Sequence, residues 1–285
     1  MRRCITFLLL LTNLSLNAQD LYDRYYMASR CSALIDFSDT DTVTVTYPVS
    51  YKLAPIGAGA FAFVCDKQGV PQFYTNGGQI GNLLGDTLIA SGMQENGVDQ
   101  DYHGRLPIPQ GAIVLPKNDC QYYCVYYSVS DSLYQFYQQA DRLYYALVDM
   151  CANQGKGQVL SVKNVVYKGL MGDGRMTACK HANGRDWWLV THGFNDSTYF
   201  KFLFSPDTVT GPFIQQIGAS ELEPDILGQA EFSSDGTKYV SITGGSPLVV
   251  LDFDRCTGEF SNPLNVKVSY FPPYQIMGSG GIGCV

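Results

Sequence analysis

The stretch AEFSSDGTKYVSIT at residues 230–243 decides the fold of this chain. Two runs of strand-forming residues, Ala230–Phe232 and Tyr239–Thr243, flank the turn Ser234-Asp235-Gly236. An Asp-Gly pair supplies the positive φ angles that a tight hairpin requires. The stretch therefore predicts a strand, a turn and an antiparallel strand.

The same hairpin occurs twice more, at Met176–Thr191 and at Ala112–Tyr127. Each copy precedes a second hairpin, built from Tyr144–Asp149 with Val159–Val162, from Phe200–Phe204 with Phe213–Ile217, and from Leu248–Asp252 with the residues near Phe260. An earlier pair of runs, Phe61–Val64 and Pro71–Thr75, is interpreted as the end of a preceding unit. Equivalent strands recur about every 50 to 65 residues, and four strands at that period are typical of a β-propeller blade.

The composition favours an all-β chain. Charged residues make up only 16% of the 285 residues, while 13% are aromatic and 29 are glycine, which argues against a helical bundle or coiled coil. A β-sandwich has no reason to repeat one hairpin pattern, and a β-solenoid would have shorter coils. Ser130–Leu143 is the exception, as a helix or an irregular loop. We therefore predict a β-propeller of four-stranded antiparallel blades.

Residues 1–18 have the pattern of a secretory signal peptide. Arg2 and Arg3 precede an apolar run that ends at Ala18, which predicts cleavage before Gln19. A buried N-terminal helix is the alternative. The apolar run is too short for a membrane span and no later segment offers one, so we expect no transmembrane anchor.

Residues 19–50 are expected to lead into the first blade, and residues 51–285 to form about four blades with the last one truncated. Gly280–Val285 resembles the opening of a further blade. Three complete and two partial blades do not close a ring comfortably, and an unclosed ring leaves strand edges exposed. We therefore expect that this sequence forms an incomplete ring and is a fragment of a longer chain.

The charge argues against nucleic-acid and anionic-membrane partners. The chain carries a formal net charge of −7, and removal of the leader takes two arginines and no acids, which leaves about −9. An acidic surface without a Lys/Arg cluster repels phosphate groups.

Eight cysteines remain after Cys4 leaves with the leader, an even number that suits an oxidising compartment. Cys151 and Cys179 are 28 positions apart, as are Cys256 and Cys284. This equal spacing predicts the same disulfide between successive blades twice, with free buried thiols as the alternative. The pairing of Cys31, Cys65, Cys120 and Cys124 stays open.

A longer segment, KHANGRDWWLVTH at residues 180–192, together with FYTNG at 73–77, YALVDM at 145–150, FDRCTG at 253–258 and FSSDGTK at 232–238, resembles secreted β-propeller proteins of Bacteroidetes, of the WD40- or TolB-like kind. The resemblance covers roughly residues 55–285. It implies export to the cell surface by type IX secretion, although the sorting domain that often follows such propellers is absent from this sequence.

The loop at residues 91–110 is the first candidate site, because it holds Glu95, Asp99, Asp101 and His103. Two carboxylates and a histidine are suited to acid–base chemistry or to Ca²⁺, but their spacing matches no complete calcium loop. A solvated polar loop is the alternative. No other metal or cofactor is expected.

The Trp187–Trp188 pair is the second candidate, as a platform for stacking a sugar ring. Because neighbouring strand residues point to opposite faces, one of the two is expected in the core, and we take Trp188 as a candidate ligand contact. His181 and His192 flank the pair. We expect His181 to bond backbone at a blade junction rather than to hold a metal.

Two further patterns are weak. The glycines at residues 278–283 have dinucleotide-binding spacing but lack the helix that holds a pyrophosphate. Asp36, Asp39 and Asp41 lack the glycine and glutamate of a helix–loop–helix calcium site. Both are interpreted as linker or turn residues.

Two functions follow. The favoured one is a non-catalytic secreted or cell-surface module that binds an extracellular protein or glycan through its loop face. The alternative is a propeller hydrolase or lyase acting on extracellular polysaccharide, with Asp99, Asp101 and His103 as its candidate residues.

Overall fold

The computed structural model describes residues 25–28, 33–36, 42–46, 59–95, 106–130, 140–194, 196–218, 228–243 and 247–267. Within these ranges the regular structure consists of strands, apart from one short turn, Ala152–Gly155, whose residues Asn153 and Gln154 have positive φ angles. The predicted signal peptide and the glycine-rich segment at residues 278–283 lie outside the described residues.

The described strands form four antiparallel four-stranded sheets, each a blade whose strands follow chain order. The first blade has β4 (Ala62–Cys65), β5 (Pro71–Thr75), β6 (Ile80–Asn82) and β7 (Thr87–Ile89). The second has β8 (Ala112–Pro116), β9 (Gln121–Ser128), β10 (Arg142–Asp149) and β11 (Gln158–Lys168). The third has β12 (Thr177–Lys180), β13 (Trp187–His192), β14 (Thr198–Phe204) and β15 (Val209–Gln216). The fourth has β16 (Gly228–Phe232), β17 (Lys238–Thr243), β18 (Leu248–Asp254) and β19 (Glu259–Val266).

A three-stranded sheet precedes the four blades. It consists of β1 (Tyr25–Ala28), β2 (Ala33–Asp36) and β3 (Thr44–Thr46), and β1 contacts β4 of the first blade. The segment that was expected only to lead into the first blade therefore contains a sheet of its own. The architecture is all-β and consists of propeller blades, in agreement with an incomplete ring.

The three repeated hairpins and the hairpins that follow them are confirmed. Gly184 and Gly236 adopt φ angles of 72° and 70° at two of the turns. One expectation was wrong. Residues 61–75 begin a complete first blade rather than end a preceding one, since β6 and β7 follow β5 in the same sheet. The stretch Ser130–Leu143, expected as a helix or an irregular loop, lies mostly outside the described residues, and its last residue, Leu143, pairs with Tyr127 of β9 as part of β10.

Two hydrophobic clusters lie between the blades. The larger cluster joins residues of the first three blades, and the smaller joins the third and fourth. Because successive side chains of a strand point to opposite faces, β13 contributes to both clusters. Leu189 lies in the larger cluster, and Trp188 and Val190 lie in the smaller. The third blade thus buries side chains on both of its faces.

The predicted disulfide from Cys151 to Cys179 is wrong. Cys151 is bonded to Cys120 of the same blade, with 5.4 Å between their Cα atoms. Asp149 of β10 pairs with Gln121 of β9. Cys120 directly precedes Gln121 and Cys151 follows two residues after Asp149, so the two cysteines lie close together. Cys179 is a free buried thiol, and burial raises its pKa to about 12.

The second predicted disulfide is untested, because Cys284 lies outside the described residues. Cys256 is an exposed free thiol in this structure. Within the described ranges, no helix is long and apolar enough to span a membrane.

Candidate functional site

The connection between β7 and β8 contains the predicted acidic loop. Asp99, Asp101 and His103 lie outside the described residues, but both ends of the loop, 91–95 and 106–110, are described. The structure shows how the loop is attached to the blades at both ends.

A buried glutamine holds the first end. Gln94 is 1% exposed and its amide nitrogen donates to the carbonyl oxygens of Gly77 at 2.6 Å and Tyr127 at 2.9 Å. Gly77 belongs to the first blade and Tyr127 to the second. The loop thus leaves the first blade at the interface with the second, where one side chain donates hydrogen bonds to backbone carbonyl groups of both blades.

Glu95 extends from this end into a polar cluster on the second blade. Tyr144 donates its hydroxyl to Glu95 Oε1 at 3.1 Å, and the Lys163 ammonium lies 3.5 Å from Oε2. Burial and the neighbouring carboxylate both raise the pKa of Tyr144. Both members of the ion pair remain partly exposed, so the cluster is accessible to solvent.

A β-bulge directs Lys163 toward this cluster. The register between β10 and β11 shifts near Lys163, which adopts a φ of 53° and donates its backbone N–H to the Tyr126 hydroxyl at 3.0 Å. Bulges re-aim side chains and are frequent beside functional sites. Sequence reasoning singled out Glu95 but missed Lys163, Tyr144 and Tyr126, because their proximity depends on this irregular register.

The second end of the loop reaches the fourth blade. Leu106 and Ile108 are buried, and Gln110 follows with a φ of 47°. The Gln110 amide donates to the Ala230 carbonyl at 3.0 Å and accepts from the Ala230 N–H at 2.8 Å. A side chain thus occupies the free backbone edge of β16, beside a small cleft of about 70 Å³ lined by Gln110, Gln229, Ala230, Glu231, Val240, Ser241 and Ile242.

Polar groups of the next inter-blade connection are buried close to this end. Arg175 is fully buried, and side chains built at Gly172 or Gly228 would overlap its atoms. The Tyr127 hydroxyl donates to the Gly174 carbonyl at 3.2 Å, and burial raises the pKa of Tyr127. These contacts fix the backbone between β11 and β12 and leave little space for a ligand.

Trp188 is not the exposed member of the tryptophan pair. It is 4% exposed, its indole N–H donates to the Arg255 carbonyl at 3.0 Å, and its ring lies edge-on to Phe213 and Phe253. The expected ligand contact at Trp188 is therefore wrong, because the ring fills the seam between the third and fourth blades. Trp187 is the half-buried member, with the Lys180 ammonium 5.4 Å from its ring centroid.

The structure places His181 at a blade junction. Its Nδ1 accepts the Asn183 N–H at 3.0 Å, so Nε2 carries the proton and donates to the Cys256 carbonyl at 3.1 Å. His192 is buried against Tyr199 and bonds the Gly193 carbonyl through Nδ1 at 2.7 Å. Among the described residues, no three His, Cys, Asp or Glu side chains form a group able to hold a metal.

Many carboxylates of the described residues are engaged in local structure. Asp66, Asp149, Asp235 and Asp254 accept backbone N–H groups of their own turns. Asp36 lies in β2, while Asp39 and Asp41 are outside the described residues.

No family model matches the sequence, and no curated protein matches it. Among solved structures, the chain is similar to a putative 6-phosphogluconolactonase from Bacteroides uniformis, at 11% identity and a TM-score of 0.40 over 85% of this chain and 67% of that chain. It is also similar to the Cps50 (Swd1) β-propeller domain of Myceliophteria thermophila, at 14% identity and a TM-score of 0.33 over 85% and 84%.

A third similar structure is the periplasmic gluconolactonase PpgL of Pseudomonas aeruginosa, at 12% identity and a TM-score of 0.34 over 73% of this chain. The chain spans 55% of that protein and 65% of a functionally unknown protein from Desulfotomaculum acetoxidans. Identities this low carry no activity over to this chain.

Proposed function

We propose that this protein is an exported, non-catalytic propeller module that binds an extracellular glycan or protein through the loop at residues 91–110. The attachment of that loop is the observation that carries the proposal. Gln94 fixes one end by buried hydrogen bonds between the first two blades, and Gln110 fixes the other by partly buried hydrogen bonds to the fourth. A long loop held at both ends by a rigid scaffold is a typical place for binding residues.

The cluster of Glu95, Tyr144 and Lys163 supports the same proposal. It offers a carboxylate, a hydroxyl and an ammonium group at the base of the loop, which suits recognition through hydrogen bonds. Asp99, Asp101 and His103 follow directly in the chain and are proposed as further ligand contacts.

A hydrolase or lyase acting on polysaccharide is the second candidate. It would use the same three residues, with a carboxylate and the imidazole as acid and base. Glu95 gives this alternative a specific basis, because it places one partly exposed carboxylate at the base of the loop.

A combined binding and turnover screen tests the two functions. The protein is applied to arrays of extracellular oligosaccharides and surface proteins, and each bound oligosaccharide is incubated with it and analysed for cleavage. Binding without cleavage, weakened by Asp99→Ala, Asp101→Ala and His103→Ala but not by Asp119→Ala on a distant turn, is the expected result. Cleavage that these loop variants abolish would favour the enzyme, and an absence of binding to every component would contradict both.

Export is tested separately. We expect the protein recovered outside the cytoplasm to begin at Gln19. An uncleaved Met1 on protein retained in the cytoplasm would contradict the proposed localisation.

A further inference from the structure

The seam between the second and third blades contains a row of aromatic rings. Tyr123 lies edge-on to Tyr145 at 5.1 Å and to Phe204 at 5.3 Å between ring centroids. Trp187 of β13 pairs with Phe204 of β14, so their side chains lie on the same face of the sheet. The Tyr123 hydroxyl donates to the Ser205 carbonyl at 2.9 Å and joins the two blades.

This aromatic seam (Tyr123, Tyr145, Phe204 and Trp187) is incompletely closed. Tyr123 and Phe204 are buried, whereas Tyr145 and Trp187 are only half-buried. The neighbouring seam differs: there Trp188 is fully packed, and a side chain built at Gly258 would overlap its ring. The two adjacent tryptophans thus belong to one closed and one partly open seam.

Two ammonium groups lie next to these rings. Lys180 Nζ is 5.4 Å from the Trp187 ring centroid, and Lys117 Nζ is 6.0 Å from that of Tyr123. Ammonium groups at this distance are held by the ring faces and can still donate hydrogen bonds outward. Aromatic rings with ammonium donors beside them match the C–H-rich face and the peripheral hydroxyls of a sugar ring.

The surrounding charge selects a neutral ligand. Arg185 is paired with Asp186, and the chain as a whole carries a formal net charge of −7. An acidic molecule repels an anionic polymer, and two lysines are too few to form a basic cluster that would attract one.

From these observations we infer that the aromatic seam is a subsite for a neutral oligosaccharide, with Trp187 and Tyr145 as the stacking rings and Lys180 as a donor to sugar hydroxyls. The inference rests on the proposed binding function and specifies a ligand class and a surface apart from the acidic loop. A peptide segment would need a longer apolar groove than two half-buried rings provide.

The chain offers a direct test, because it has only two tryptophans. The probes are cellohexaose, mannohexaose, xylohexaose and chitohexaose, titrated while tryptophan emission and acrylamide quenching are recorded. We expect at least one probe to change the emission and to reduce quenching in the wild type and in Trp188→Phe. We expect no change in Trp187→Phe, whose remaining indole is buried.

Affinity supplies the second measurement. Trp187→Ala is expected to weaken calorimetric binding by about tenfold or more, as is typical of an aromatic anchor, with Lys180→Ala weakening it less. Since Trp187→Ala also removes core contacts, the emission titration of the folded wild type stands as independent evidence.

Each remaining outcome overturns the inference. If a probe binds and Trp187→Phe still reports it, or Trp187→Ala leaves the affinity unchanged, glycan binding lies elsewhere and only the seam assignment fails. If no neutral probe binds while the array of surface proteins gives a ligand, the seam assignment fails and the binding function stands.

Discussion

At the scale of single residues, one glycine allows the closed seam to form. Gly258 has a φ of 74°, and a Cβ built on it would lie 2.7 Å from Trp188 Cη2. Only glycine meets both demands, because other residues are strained at this backbone angle and any side chain would collide with the indole. The packing of Trp188 is therefore determined partly by a residue on the following blade.

We expect Gly258→Ala to destabilise the protein by about 2 to 4 kcal/mol, as the sum of backbone strain and overpacking. Gly184→Ala is the matched control: Gly184 has a similar φ of 72°, but nothing lies within 4 Å of its Cβ position. Urea denaturation of both variants measures the difference. Equal losses would mean that contact with Trp188 contributes nothing.

At the scale of the hairpin, polar side chains close the turns that define the repeat. Asp66, Asn118, Asn183 and Asp235 each accept backbone N–H groups within the first hairpin of their blade. Such short side chains compete well with regular structure and favour turns. This is why the turns could be predicted from residue type alone.

Asp235 makes one of these turns sensitive to pH. Hydrogen bonds from the Ser233 hydroxyl and from Thr237 lower its pKa from 3.8 to about 2. The folded state then keeps the carboxylate ionised where the unfolded state is protonated. The contribution of the ionised Asp235 carboxylate to folding stability is complete above the pKa of the unfolded state and is lost as the pH falls through the pKa of the folded state.

We therefore expect the wild type to lose thermal stability relative to Asp235→Asn between about pH 4 and about pH 2, since Asn keeps an acceptor that does not titrate. Melting temperatures measured across this range test the prediction. Parallel curves for the two proteins would show that the carboxylate adds nothing.

The cysteines show where sequence reasoning failed and why. Equal spacing of 28 positions favoured a disulfide between blades, but spacing along the chain does not determine distance across a sheet. The pairing of β9 with β10 brings Cys120 next to Cys151. The same limitation hid the contacts of the candidate loop, since Gln110 and Ala230 are 120 positions apart.

Loss of the Cys120–Cys151 disulfide is expected to lower the free energy of unfolding. The bridge closes a loop with a sequence separation of 31, for which the chain-entropy estimate is about 3 to 4 kcal/mol. We expect Cys151→Ser to lose stability of that order and Cys179→Ser to leave the bridge intact. Peptide mapping under non-reducing conditions checks the pairing, and a Cys151–Cys179 peptide would contradict the structure.

At the scale of the whole molecule, the outermost strands of the second, third and fourth blades carry features that oppose pairing with other chains. Pro212 lies in β15 and Pro263 in β19, and a bulge interrupts β11. Proline removes a backbone donor, and bulges bend an edge, so each device opposes the addition of a further strand. Exposed apolar residues such as Ile214 and Leu264 therefore do not make these edges docking strands.

Two glutamines attach the fourth blade at opposite edges. Gln110 bonds both backbone groups of Ala230 in the innermost strand. Gln215 of β15 does the same to Phe260 in the outermost strand, donating at 2.7 Å and accepting at 2.9 Å. The Lys201 ammonium, on a side chain only 1% exposed, donates to Gln215 at 2.7 Å and holds that amide in place.

We expect Gln110→Ala and Gln215→Ala each to cost about 1 to 3 kcal/mol, because each leaves a backbone donor and acceptor of the fourth blade without partners. Gln229→Ala is the control, since the Gln229 side-chain oxygen has no hydrogen-bond partner. Hydrogen exchange locates the effect: protection should fall at the Ala230 amide in Gln110→Ala and at the Phe260 amide in Gln215→Ala. If both amides stay protected, or if Gln229→Ala is as destabilising, the blade is held by its hydrophobic seam alone.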